Sequence, residues 1–543
     1  MNVAGAIARA MKAEGIDILF AYPVNPLIEA AAAEDIRTII VRQERTGLHM
    51  ADAYSRLTSG DKIGVFCMQH GPGAENAFGG VAQAYSESVP ILVVPGGYPR
   101  HLATYYPNFS SVLNMRNITK WAEPVTTAAA VPGILRRAFS QLRNGRPGPV
   151  LIEVPADLWN EDVPDGWSHP PSFTAKSAPD PADIATAAKV LASAERPVIY
   201  AGQGVHWAKA WRELRALAEA WNIPVTTSIE GKSAFPEDHP FSLGSGGRAN
   251  PRPVKRFLAE ADVILGVGCS FALTGFGVPM PAGKTIIHAT LDPKDVNKDV
   301  AVQHALVGDA KLTLAALGAA MAELDPSAAA ARAEIPARIA ELRDAWLAEW
   351  APRLASDGTP ISPYRVIFEL NRMVDKDRTI ITHDAGSPRD QMTPFWAATT
   401  PLSYIGWGKT TQLGYGLGLA MGAKLARPDH LCINVWGDAA IGFTGMDLET
   451  AARERIPILS ILFNNSSMAI EIPIMPVSQA KYGATDITGN YADMATALGC
   501  YGERIANPSE IVAAIKRGIA ATEEGRPALL EFLTAKETTI SNE

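Results

Sequence analysis

The chain has 543 residues; at ~100–200 residues per domain, a single small module is excluded and about three or four domains are expected. Hydrophobic residues make up 47% and charged residues 20% of the sequence, a globular balance rather than a disordered one. Acidic residues (57) outnumber basic ones (49), and no run of like charge occurs, so neither a nucleic-acid partner nor a membrane surface is expected.

The four cysteines, Cys67, Cys269, Cys432 and Cys500, lie far apart with no Cys-x-x-Cys pair, which argues against a disulfide framework and a structural zinc site. Met1–Glu14 carries Arg9, Lys12 and Glu14 among alanines and reads as an amphipathic helix, not a signal peptide. The longest uncharged stretch, Val263–Gly283, is broken by glycines and prolines, unlike a membrane helix. A soluble, cytoplasmic protein is the expectation.

Along the chain, short apolar runs alternate with Ala-rich helical patterns. Ile16–Phe20, Ile39–Val41, Ile63–Phe66, Ile91–Val94 and Val150–Val154 are predicted strands, with helices over Val3–Glu14, Gly47–Arg56 and Ala74–Tyr85. The segment from Glu161 to Pro181, rich in Pro, Ser and Asp, reads as a linker. A second series follows at Val198–Ala201, Ile223–Thr227, Val263–Val267 and Ile286–Ala289. A helical stretch over Ser327–Trp350 then leads to a polar connector, Leu354–Pro363. A third series runs through Thr379–Thr382, Cys432–Val435, Ile458–Phe463 and Ala528–Phe532. This alternation predicts an α/β protein of three doubly wound parallel-sheet domains, over 1–165, 182–325 and 355–543.

The third series carries the sharpest chemical pattern. The strand Cys432–Val435 runs into Trp436-Gly437-Asp438-Ala439-Ala440, and Ile458–Phe463 runs into Asn464-Asn465-Ser466-Ser467. Two strands thus bring oxygen donors to the carboxyl edge of one sheet, where open α/β folds bind ligands. A carboxylate, a side-chain amide and a backbone carbonyl suit a hard cation such as Mg²⁺. The small residues after Asp438 leave room for a diphosphate against backbone N–H groups. By itself the same pattern is also two ordinary turns at strand ends.

Gly437-Asp438 followed by Asn464-Asn465 resembles the binding motif of thiamine diphosphate (ThDP) enzymes, with Ala439 in place of the commonest form's third glycine. Further segments resemble that family in order. They are Arg42–Arg56, Gln69–Asn76, Gly145–Val150, Gly231-Lys232 with Pro236–Pro240, and Leu413–Leu417 with Ala423–Ala426. Together they resemble the acetolactate synthase and 2-oxo acid decarboxylase branch.

The resemblance implies a pyrimidine-binding first domain, a Rossmann-like central domain and a diphosphate- and Mg²⁺-binding third domain. Glu44 takes the place of the activating glutamate, which hydrogen-bonds the aminopyrimidine and so drives loss of the thiazolium C2 proton. Leu413 takes the place of the apolar residue that holds the cofactor bent. Asp438, Asn465 and the Ser467 carbonyl are the implied metal ligands. Gly386, Ser387, Gly437, Ala439 and Ala440 are expected around the diphosphate. His70 is a candidate acid–base, with a structural role at a strand end as its alternative. Glu471, six positions after Asn465, matches the proton-handling glutamate of simple 2-oxo acid decarboxylases. Their paired histidines are not matched after Gly97, where only His101 occurs, and the Phe-Gln-Glu of acetolactate synthases is altered at Phe109-Ser110-Ser111.

FAD or ADP is found in the central domain of some relatives. Gly202-Gln203-Gly204 lacks a full dinucleotide fingerprint, so a structural central domain is expected. The implied activity is cleavage or formation of a C–C bond beside a carbonyl, on a 2-oxo acid or acyl donor. A 2-hydroxyacyl-CoA lyase is the alternative, and a non-catalytic homologue a more distant one. A homodimer or dimer of dimers with active sites shared between chains is likewise implied.

Overall fold

The computed structural model describes residues 1–542. The first sheet holds β1 (Ile18–Ala21), β2 (Arg37–Ile40), β3 (Gly64–Met68), β4 (Ile91–Gly97), β5 (Trp121–Pro124) and β6 (Val150–Pro155), in the order β2-β1-β3-β4-β6-β5. The second holds β7 (Pro197–Ala201), β8 (Val225–Ser228), β9 (Ser242–Gly246), β10 (Val263–Val267), β11 (Thr285–Thr290) and β12 (His304–Val307), in the order β12-β11-β10-β7-β8-β9. The third holds β13 (Thr379–His383), β14 (Tyr404–Ile405), β15 (Leu431–Gly437), β16 (Leu459–Asn464), β17 (Tyr501–Ile505) and β18 (Ala528–Leu533), in the order β14-β13-β15-β16-β18-β17. All strand pairs are parallel.

Interior strands such as β3, β4 and β16 are buried along their whole length, as sheets covered by helices on both faces require. These predominantly apolar runs are the ones the sequence reveals. The edge strands β5, β9, β12, β14 and β17 escape it. β14 has two residues, and β5 and β17 are largely half-buried, so neither length nor apolar continuity marks them. The expected single helix over Ser327–Trp350 is two, Ser327–Ala330 and Ile335–Leu354. Pro336 sits in the first turn of the second, where the ring is tolerated, and could not continue the first. Residues 156–180 hold no helix or strand, as the linker composition predicts. They are nonetheless pinned to the first domain, where the Glu14 carboxylate accepts from Ser172 N at 2.8 Å and lies 2.9 Å from His169 Nε2.

The first and third domains share an apolar core that includes Leu48, Phe66, Leu417 and Leu448, while the central domain has its own. The shared core is organised by two helices, Glu44–Leu57 and Tyr415–Ala426. A Cβ on Gly418 would stand 2.5 Å from His49 Cβ, and one on Gly422 would stand 2.2 Å from Met50 O. Glycines one turn apart thus let the two backbones approach where any side chain would collide. No helix among the described residues is long and apolar enough to cross a membrane.

Candidate active site

The third sheet reverses its strand order between β13 and β15, the place where open α/β sheets form a binding crevice. Three chain segments leave the carboxyl ends there. After β13, the turn Asp384–Ser387 uses Gly386 at φ 80°, a conformation glycine adopts without strain. After β15, Gly437 leads into the helix Asp438–Thr444. After β16 comes Asn465–Ser467.

These segments meet. A Cβ on Gly437 would lie 3.7 Å from Pro388 Cγ, and one on Gly386 would lie 3.8 Å from Ile470 Cδ1. The Ser467 N–H is shared by Asp438 Oδ2 at 3.2 Å and Asn465 Oδ1 at 2.9 Å. A carboxylate oxygen and an amide oxygen therefore converge on one point. Burial pushes the Asp438 carboxyl above the ordinary range, against the pull of the N–H groups of Ser467, Ala439, Ser466 and Asn465. Such an oxygen set suits a hard cation, whose charge would reverse the cost of burying the carboxylate. No group of three or more His, Cys, Asp or Glu side chains gathers as a metal site among the described residues, and the set at Asp438 has only one such member. Asn464 is committed elsewhere. Its Nδ2 donates to Glu531 Oε1 at 2.7 Å, and its Oδ1 accepts from Ser466 N at 3.0 Å, which shapes the loop.

Glu44 opens the helix Glu44–Leu57 and is 3% exposed. Burial raises its pKa, and the charge of Asp447 adds to the rise; its own backbone N–H and the Asn76 side chain oppose it. A buried carboxyl at a helix start is suited to exchanging a proton with a bound group. Within the chain these neighbours, Asn76 and Asp447, lie on the first and third domains.

Leu413 is half-buried and flanked by fixed neighbours. Asp384 takes the Gly414 and Gly416 N–H groups, each at 2.9 Å, besides that of Ala385 at 2.8 Å. Burial lifts the Asp384 carboxyl to about 6 against these donors. Asp384 thereby ties the Gly386 turn to Leu413. Asp447 similarly accepts from Arg42 N at 2.7 Å and joins the two domains beside Glu44. Sequence reasoning missed Asp384, Asp447 and Asn76 as site residues; an acid directly after an apolar strand, as at Asp384, is the available signal. His70 follows β3, half-buried, with its ring edge-on to Tyr98 at 4.6 Å. Glu471 ends the short turn Ala469–Glu471 and is half-buried, next to the Ile470 that lies over Gly386.

The central sheet has a different order. It is the dinucleotide-binding one, with its switch between β7 and β10. A cavity of about 380 Å³ opens there, lined by Gly204, Gly268, Ser270, Asp292, Arg146 and Lys409 among others.

Comparison with known proteins follows the same three-part division. Residues 1–118 match the thiamine pyrophosphate enzyme N-terminal TPP binding domain, 184–317 the central domain and 384–532 the C-terminal TPP binding domain. The chain is 32% identical to a probable acetolactate synthase large subunit of Methanococcus aeolicus, over 100% of this chain and 93% of that protein. It is 32% identical to the Methanocaldococcus jannaschii counterpart, over 98% and 92%. It is 28% identical to the acetolactate synthase isozyme 3 large subunit of Escherichia coli, over 97% and 93%.

Proposed function

Because the chain belongs to the acetolactate synthase family of thiamine pyrophosphate enzymes, we propose that this ThDP-dependent enzyme decarboxylates a 2-oxo acid and joins the remaining acyl unit to a second carbonyl compound. Pyruvate is the proposed donor and acceptor. Two pyruvates and one proton then give acetolactate and carbon dioxide. The observation that carries the reading is the convergence of Asp438 and Asn465 on Ser467 N beside the Gly386 turn, in a chain that follows acetolactate synthase large subunits over its whole length.

When bound, ThDP supplies a nucleophilic carbon and an electron sink for the electrons released with carbon dioxide. The protein's part is positional and acid–base. Asp438, the Asn465 amide and the Ser467 carbonyl would hold Mg²⁺, and the small residues Gly386, Ser387, Gly437, Ala439 and Ala440 would leave room for the diphosphate; the Ala439 N–H itself is taken by Asp438 Oδ1 at 3.0 Å. Leu413 would be an apolar wedge against the bound cofactor. Glu44, whose pKa burial raises, would exchange a proton with the pyrimidine ring of the bound cofactor. His70 and Glu471 move protons on the substrate side. The placement of Ile470 over the Gly386 turn brings Glu471 close to the cleft, which supports simple decarboxylation as a second reading. A 2-hydroxyacyl-CoA lyase remains the alternative within the family. The burial of Glu44 disfavours a non-catalytic homologue, since an acid kept in an apolar setting is costly without a task.

The working unit is proposed to be at least a homodimer. Glu44 of one chain would complete the Asp438 cleft of its partner. Phe78, Tyr85, Phe443 and Met446 are exposed on the domains that carry these two residues, which suits an apolar self-interface. The central cavity also favours an adenine nucleotide, FAD or ADP, over the purely structural role expected from sequence, because its position matches the binding crevice of that strand order.

Turnover of a 2-oxo acid panel with ThDP and Mg²⁺, with and without an aldehyde acceptor, tests the reading. Carbon dioxide release with pyruvate, accompanied by acetolactate, is expected. Release with an aldehyde as sole product points to the decarboxylase, and no release from any 2-oxo acid defeats both.

A further inference from the structure

The segment that delivers Leu413 has little structure of its own. Residues 406–413 join β14 to the helix Tyr415–Ala426 and make no backbone-to-backbone hydrogen bond among the described residues. Backbone groups left unpaired in this way cost stability unless something else satisfies them. Arg56 and Glu87 of the first domain bond the loop backbone, Gln83 and His49 bond its side chains, and the central-domain Thr274 hydroxyl adds a longer bond to Gly408 O at 3.3 Å. Arg56 Nη1 donates to Gly406 O at 2.7 Å. The Glu87 carboxylate accepts from Gly408 N at 3.3 Å and Lys409 N at 2.9 Å. Gln83 Oε1 accepts from Thr410 Oγ1 at 2.6 Å. His49 Nε2 lies 2.7 Å from Gln412 Oε1. Burial lowers the His49 ring to about 3, so the ring is neutral and its Nε2–H donates.

The spacing explains how one surface serves a whole loop. His49 and Arg56 are seven apart on the helix Glu44–Leu57, two turns along one face. Gln83 and Glu87 are four apart at the end of the helix Pro72–Ser86. All four are buried, so water does not compete for their bonds.

We propose that His49, Arg56, Gln83 and Glu87 form a rail on which the first domain of a chain sets the loop 406–412, and with it Leu413, in that same chain. The four are positioning residues, acting through the loop. The inference rests on the reading of Leu413 as the wedge under the cofactor. It gives each first domain two tasks: Glu44 serves the partner's cleft, and the rail prepares the cleft of its own chain.

The Gln83–Thr410 contact is the place to test it, because it can be removed without changing charge. Thr410→Val and Gln83→Leu each delete one buried neutral hydrogen bond, worth ~3–10-fold in an equilibrium. Amide hydrogen exchange over 406–413 in the cofactor-free protein should speed up by that factor. ThDP affinity by calorimetry should fall similarly, and kcat should fall more than KM changes. The double variant should add little to either single one, since both remove the same bond, and Thr410→Ser should restore wild-type values. Unchanged loop exchange in Thr410→Val, or full additivity in the double variant, overturns the rail. Leu413→Ala separates the two ideas. Normal C2 proton exchange of ThDP in that variant defeats the wedge reading, while faster loop exchange in Thr410→Val still supports the rail.

Discussion

The first and third sheets have the same plan and opposite chemistry. Numbered within each domain, both run 2-1-3-4-6-5, and they bury one another through paired helices. Yet the first places a single acid, Glu44, at a helix start after β2. The third places an oxygen cluster, Asp438 with Asn465, after β15 and β16. The repeated topology supplies two similar edges, and the few residues after each strand decide what each edge does. The central sheet follows another order and opens a cavity at its own switch point.

The largest expected effects come from silencing one half of the comparison at a time. Asp438→Ala removes the only carboxylate of the oxygen set and should abolish Mg²⁺-dependent ThDP binding while the protein stays folded. Calorimetry that finds wild-type affinity ends the assignment. Glu44→Gln should leave affinity largely intact and slow C2 deprotonation by ~10²–10⁴-fold, the usual worth of a positioned acid–base group; near wild-type turnover would exclude the role. Mixing the two variants decides whether the halves belong to one chain or two. If sites are shared, a mixed dimer regains one site built from the unmutated domain of each chain, and re-assembled equal mixtures should recover about a quarter of wild-type activity. Recovery of none means that each chain closes its own site.

Much of this division is legible in the sequence, for reasons that differ by element. β3, β4 and β16 are legible because both faces of each are buried, so nearly every position is apolar, Ser460 and Asn464 of β16 being the exceptions. β14 and β17 are not, because a strand on an edge needs neither length nor continuous burial. Asp438 and Asn465 could be read because their two turns fall at the ends of adjacent apolar runs. Asp384 is not legible as a site residue, since only the folded chain brings Gly414 and Gly416 to its carboxylate. The rail was invisible for the same reason. His49, Gln83 and Glu87 look like helix-face polar residues until a loop more than three hundred positions away is laid across them.

A smaller effect is expected at the rim of the third-domain edge. Glu471 lies six positions after Asn465 and is half-buried, so Glu471→Gln should lower turnover by about 10²-fold, the low end for a proton-handling group, while ThDP affinity stays at the wild-type value. Parallel losses in both quantities, or in neither, would move Glu471 out of the site and leave the third-domain edge a binding surface alone.

The smallest effect concerns the junction of the two compared domains. Glu87 lies fully buried between them, facing the Glu230 carboxylate, the Lys409 ammonium and the Arg56 guanidinium. Burial and Glu230 push the Glu87 carboxyl up to about 7, against Lys409, Arg56 and the Lys409 N–H. In the unfolded chain the same group titrates near its ordinary value of 4.5. Between those two values the folded protein keeps a proton that the unfolded chain has released. Stability attributable to Glu87 is therefore greatest at low pH, falls as pH rises through the window from 4.5 to about 7, and is level above it. Glu87→Gln cannot ionise and should remove this slope. Asp384, lifted to about 6 by burial, adds a slope of the same sign in both proteins, so the difference between the two curves is the quantity to read. The melting temperature of the variant relative to wild type should rise by roughly 2 °C between pH 5 and pH 7.5. A difference curve that is flat or falling over that range would mean Glu87 is ionised throughout. The junction would then be held by the attraction of the Lys409 and Arg56 charges for an ionised Glu87.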